Sequence, residues 1–105
     1  MILYNVTVKI DRSVHDEWLE WMRNVHIPEV MNTGFFTKNL MMRLLDPPAD
    51  EEGITYAIQY FCKNIGALKR YWDEEAPALQ AAHTERYKGK FVAFRTVMKL
   101  VENNG

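Results

Sequence analysis

The first ten residues alternate without a break. Ile2, Tyr4, Val6, Val8 and Ile10 fall on one side of an extended chain, and Leu3, Asn5, Thr7 and Lys9 on the other. A period of two with β-branched residues predicts a strand with one wholly apolar face. Asp11-Arg12 turns the chain, and Ser13 with Asp16 has the spacing of a capping box. From there the period changes. Val14, Trp18, Trp21, Met22 and Val25 recur at helical spacing, with Asp16, Glu17, Glu20 and Arg23 opposite them. The pattern predicts a helix over about Val14–Val25. It should end or kink at Ile27-Pro28, because proline disfavours helical geometry in the residue before it. Pro28–Met31 reads as one further turn, stopped by Asn32-Thr33-Gly34.

Phe35–Leu45 returns to alternation. Leu40, Met42 and Leu44 share one face, and Asn39, Met41 and Arg43 the other, which is expected to point away from the helices. Asp46–Gly53 (DPPADEEG) is acidic and proline-rich, an exposed connection between two strands. Ile54–Cys62 repeats the first strand, with Ile54, Tyr56, Ile58, Tyr60 and Cys62 inward and Thr55, Ala57, Gln59 and Phe61 outward. Asn64 has N-cap character, and Ile65, Leu68, Trp72, Ala76, Leu79 and His83 form the stripe of a second helix. Pro77 predicts a kink or a division in two. After Gly89, Phe91–Val101 is the last predicted strand, with Val92, Phe94, Met98 and Leu100 inward and Ala93, Arg95, Val97 and Lys99 outward. The order βαββαβ with right-handed crossovers predicts a single α+β domain over residues 1–105. It is a ferredoxin-like sandwich, a four-stranded antiparallel sheet with both helices on one face.

Composition narrows what such a fold does. A formal charge of −1 and a pI near 6.3 argue against an electrostatic grip on nucleic acid or anionic lipid. No apolar run approaches the ~18 residues of a membrane span. MILYNVTVKI lacks the pattern of a secretory leader, and a lone cysteine, Cys62, forms no internal disulfide. A cytoplasmic protein is expected.

Helices on one side leave the other side of the sheet open. The pattern assigns to it Leu3, Asn5 and Thr7; Asn39, Met41 and Arg43; Ala57, Gln59 and Phe61; and Phe91, Ala93, Arg95 and Val97. That face is too apolar for free solvation, and Arg43 and Arg95 would need partners once covered. A second copy about a two-fold axis is the simplest cover, so a homodimer is expected. The stretches YNVTV, EWLEWM, HIPEV, TGFF, TYAIQYFC, APALQ and KFVAFRT span nearly the whole chain. In them the sequence resembles an uncharacterised bacterial family, a domain of unknown function, within the dimeric α+β barrel superfamily. The resemblance implies sheet-to-sheet pairing of this fold. It implies no activity, since relatives at superfamily level range over cofactor-independent monooxygenases, haem-degrading enzymes, muconolactone-type isomerases and stress-responsive barrel proteins.

Candidate chemistry gathers at two histidines. His26 is predicted at the C-terminus of the first helix, where the macrodipole favours the imidazolium and raises its pKa. His83 falls late on the second helix's apolar stripe. Both C-termini point to one end of the fold, so the pair is expected at one pocket mouth floored by Tyr4, Tyr56 or Tyr60. Glu29, within a turn of His26, is placed to orient it. The plainer reading is the favoured one: His26 caps its helix through backbone acceptors, and His83 is a hydrogen-bonded core residue. Two histidines and a carboxylate match a facial triad only in number. With no HxH or HExxH spacing, neither metal nor cofactor is expected. Cys62 sits on apolar parity, where thiols are inert. Lys88–Phe94 (KGKFVAF) resembles an RNA-binding run, but it lies in the fourth strand, splits Phe91 from Phe94 across the sheet and belongs to a mildly acidic chain. No nucleic-acid partner is expected.

Two functions remain. One is a non-catalytic or regulatory homodimer that binds a small apolar ligand. The other is a cofactor-free enzyme acting on a small aromatic or polyketide-like substrate, with His26 or His83 as general acid–base and Arg95 or Arg43 holding an anionic group. The choice turns on whether the space between helices and sheet is filled or hollow.

Overall fold

The computed structural model covers Met1–Gly105. Its elements run β1 (Ile2–Asp11), α1 (His15–Trp21), a π-helical turn (Met22–His26), α2 (Ile27–Asn32), β2 (Lys38–Arg43), β3 (Gly53–Cys62), α3 (Ile65–Glu74), α4 (Ala76–Arg86) and β4 (Phe91–Lys99). The four strands form one antiparallel sheet in the order β2-β3-β1-β4, so the two cleanly alternating strands are its centre. They pair along their full length, from Ile2 opposite Cys62 to Asp11 opposite Gly53. Tyr4, Val8 and Ile10 of β1 and Ile54, Tyr56, Ile58, Tyr60 and Cys62 of β3 are all buried. Against them pack Trp18, Met22, Ile27 and Val30 from the first helical arm and Leu68, Tyr71 and Ala76 from the second.

The first arm departs from the sequence pattern in two ways. At its start Ser13 and Asp16 form no capping box. The Asp11 carboxylate instead accepts from the Ser13 N–H (2.8 Å) and hydroxyl (2.7 Å), and a 3-10 turn over Arg12–Val14 leads into α1. Nor does the helix end at Ile27-Pro28: of the end or kink expected there only a local irregularity forms, a π turn, and the further turn follows it. The Ile27 N–H bonds the Met22 carbonyl, five residues back, and the chain resumes as α2 with Pro28 in its first turn. Proline lacks an N–H, and in a regular helix its ring meets the carbonyl four residues earlier. Widening the preceding turn by one residue relieves that clash without ending the helix. The wider turn carries Val25 out to 38 % exposure, so it leaves the buried stripe.

The second arm divides at Glu75, as Pro77 requires, and proline in the first turn of α4 costs no hydrogen bond. Asn64 caps α3, its side chain accepting from the Ala67 N–H at 2.9 Å. Tyr71 is the buried aromatic of α3; Trp72 is half-buried, and Ile65 is exposed.

Both edge strands turn out opposite to expectation. Asn39, Met41 and Arg43 pair with Tyr60, Ile58 and Tyr56, and therefore share the helix-covered side of the sheet. Phe91, Ala93, Arg95 and Val97 pair with Ile10, Val8, Val6 and Tyr4, and share it too. Arg43 and Arg95 thus lie on the helix side, not on the open one. The open face carries Leu40 and Met42 of β2 and Val92, Phe94 and Met98 of β4, all more than a third exposed. Pairing with the central strands, whose inner faces are unmistakable, decides the phase of the edges.

Candidate functional site

Between the sheet and the two arms lies a cavity of about 50 Å³. The sheet supplies Tyr4, Val6, Val8, Ile58, Tyr60, Phe91, Ala93 and Arg95; the first arm supplies Met22, His26 and Val30; and the second supplies Tyr71, Leu79, Gln80, His83 and Thr84. Of the residues that sequence reasoning singled out, His26, His83, Tyr4, Tyr60 and Arg95 meet here. Glu29 is exposed on α2 and Arg43 is exposed at the sheet edge; neither lines the cavity. Tyr56 lies elsewhere, its O–H paired with His15 Nε2 at 2.7 Å while His15 Nδ1 meets Asp16 at 2.9 Å.

The two histidines are in contact, with ring centroids 5.7 Å apart, yet differently partnered. His83 Nε2 accepts the indole N–H of Trp18 at 2.9 Å in the buried core. Indole is donor-only, so this nitrogen carries a lone pair and the ring is neutral with its proton on Nδ1. Burial, helped by the nearby His26 and Arg95, pushes the His83 pKa down to about 4. His26 is stacked on Trp21 at 5.0 Å, and its Nδ1 is sealed from solvent with no hydrogen-bond partner in the protein. Burial pushes its pKa down to about 4 as well. That overturns the charged helix cap. Because the π turn carries the helix past His26, no free helix-end carbonyls lie beside it, and desolvation governs instead. No third His, Cys, Asp or Glu joins the pair to hold a metal ion.

Arg95 reaches the cavity from β4. Its Nε–H donates to the Tyr4 hydroxyl at 3.0 Å. Burial raises the pKa of Tyr60 and of Tyr71 well above the ordinary phenol value, so both present neutral hydroxyls. Sequence reasoning missed Tyr71, Gln80, Thr84 and Phe91. Tyr71 stands three residues after Leu68 and was as eligible for the stripe as Trp72. Gln80 and Thr84 sit four apart beside Leu79 and His83, a spacing that marks one helix face. Phe91 was hidden by the inverted phase of β4.

An antiparallel sheet in this order, with helices over one face and the other open, is a ferredoxin-like α+β fold. It superposes on an ethyl tert-butyl ether degradation (EthD) family protein from Bacillus halodurans C-125 with a TM-score of 0.64 at 9% identity, covering 96% of this chain and 100% of that one. A dimeric ferredoxin-like protein from an uncultured marine organism gives 0.61 at 13%, covering 96% and 97%. No curated protein sequence matches the chain. The chain belongs to the family defined by a domain of unknown function, DUF4286, which matches residues 1–101.

Proposed function

We propose that this protein is a cytoplasmic homodimer whose protomers each bind a small, largely apolar molecule between sheet and helices. The observation that carries the reading is the cavity itself. An aromatic core that otherwise closes leaves about 50 Å³ open, with eleven of sixteen wall residues hydrophobic and a few polar groups among them. Binding is favoured over catalysis because one ring nitrogen of each histidine is taken out of play. The His83 Nε2 lone pair is engaged by Trp18, and His26 Nδ1 lies out of reach of solvent. Dimerisation is supported by the open sheet face, where Phe94 is 63 % and Val92 68 % exposed with Met98 on one edge strand, and Leu40 and Met42 are exposed on the other. The marine relative of the same fold is described as dimeric. Residues of that size on one face are suited to a second copy of the same surface.

Sedimentation at micromolar concentration is expected to give a dimer, and Phe94→Asp, which sets a charge within that face, a monomer. Titration with benzyl alcohol, followed by tryptophan fluorescence, is expected to saturate. A monomeric wild type would remove the assembly, and the absence of saturable binding by any small apolar probe would remove the pocket.

A further inference from the structure

Arg95 is the one charged group in the cavity wall, since both histidines there are neutral. No carboxylate of the chain lies within salt-bridge distance of it; the ion pairs all involve other residues. Its Nε–H is already committed to Tyr4. That bond fixes the plane of the guanidinium and leaves the Nη1–Nη2 edge as a free pair of parallel donors, the geometry that matches a carboxylate. Around it the wall is aliphatic and aromatic, with Val6, Val8 and Ile58 on the sheet and Leu79 on α4.

From this arrangement we infer that the cavity takes a small monocarboxylate, its apolar body against the aliphatic wall and its carboxylate end-on against the Nη edge of Arg95. The inference rests on the binding reading above and deepens it. Arg95 is exposed, so it stands at the open end of the cavity, and a carboxylate returns a countercharge to it there, which an alcohol or a hydrocarbon does not. A phosphate monoester carries nearly two charges, and the wall offers no lysine and no second arginine to meet them. Tyr4 acts on the carboxylate as a positioning residue: its hydroxyl holds the guanidinium, while its ring is part of the wall.

The test uses the full chain and three probes: benzoate, its neutral counterpart benzyl alcohol, and inorganic phosphate. Trp72, whose ring lies 5.8 Å from that of Tyr4, reports on binding by fluorescence. Wild type is expected to prefer benzoate over benzyl alcohol by about threefold to fivefold, the weight of an ion pair at an exposed arginine. Arg95→Met should abolish that preference, Arg95→Lys should restore part of it, and Tyr4→Phe should reduce it in part while leaving the charge in place. Equal binding of the two organic probes by wild type, or a preference untouched by Arg95→Met, overturns the carboxylate and leaves the small-molecule reading standing. Displacement of benzoate by equimolar phosphate overturns it too. Binding of neither organic probe overturns both. If Arg95→Met does not fold, the wild-type preference and the Tyr4→Phe variant decide.

Discussion

His83 and His26 sit side by side in the same wall, and the core treats them in opposite ways. His83 is held at Nε2: Trp18 donates to it, Phe91 meets the ring edge-on at 4.5 Å, and the tautomer is fixed by a donor-only partner. His26 is stacked and half-buried, yet its Nδ1 is sealed and has no partner in the protein. Burial alone therefore does not separate a structural polar group from an unexplained one; completion of its hydrogen bonds does. The completed histidine belongs to the stability of the core. The incomplete one is a net cost to it, and its place beside a cavity is where a cost of that kind is tolerated.

The comparison can be broken from the completed side first. Trp18→Ala empties a fully buried aromatic site and removes the donor to His83. A loss of about 3–5 kcal/mol is expected in denaturant unfolding, and a loss below about 1 kcal/mol would show that this cluster does not carry the core. His83→Leu keeps the volume but leaves the Trp18 N–H buried and unpaired, for an expected loss of about 1–3 kcal/mol. Acid should act on both histidines at once. Their folded pKa values, about 4, lie below the ordinary imidazole value near ~6.5. Over that interval the unfolded chain takes up protons that the folded chain excludes. Stability is therefore full above about pH 6.5 and falls as the pH drops toward 4. Unfolding midpoints that stay level between pH 7 and 4.5 would contradict neutral burial. The smallest effect is expected at His26→Leu, within about 0.5 kcal/mol of wild type at pH 7, because the change deletes a buried nitrogen that had no partner. Its acid limb should be shallower. A cost like that of His83→Leu would show that His26 is completed after all.

Element order was legible because one face of β1 and one of β3 are apolar without exception, and Pro77 announced the division of the second arm. The helix side of the central strands followed from Tyr4, Val8, Ile58 and Tyr60 alone. Edge strands were not legible in the same way. A phase is read by assigning the larger apolar residues to the core, and that rule fails when both faces of a sheet are apolar. Leu40, Met42, Val92 and Phe94 outweigh Asn39, Arg43, Ala93 and Arg95 in apolar size, yet they lie on the open face. The same inversion concealed that Arg95 belongs to the cavity. His26 and His83, expected near one another, are in contact, whereas the charge expected of His26 is not found, because the π turn that carries the helix past it has no compositional signature. The Tyr56–His15 pair was missed because His15 lies in the first turn of α1, off the stripe that drew attention.

That π turn also sets the helical phase of the arm. Met22 and Val30 are eight residues apart, which in a regular helix at about 100° per residue puts them about 80° out of line. With one residue absorbed by the wider turn they behave as seven apart, and the offset shrinks to about 20°. Trp18 and Val30 are brought into line by the same slip. The chain thus carries one residue more between its anchors than the core counts. Shortening the turn by that residue, at Asn24, would keep Trp18, Met22 and Val30 on one line, whereas adding a residue would rotate Val30 away from the sheet.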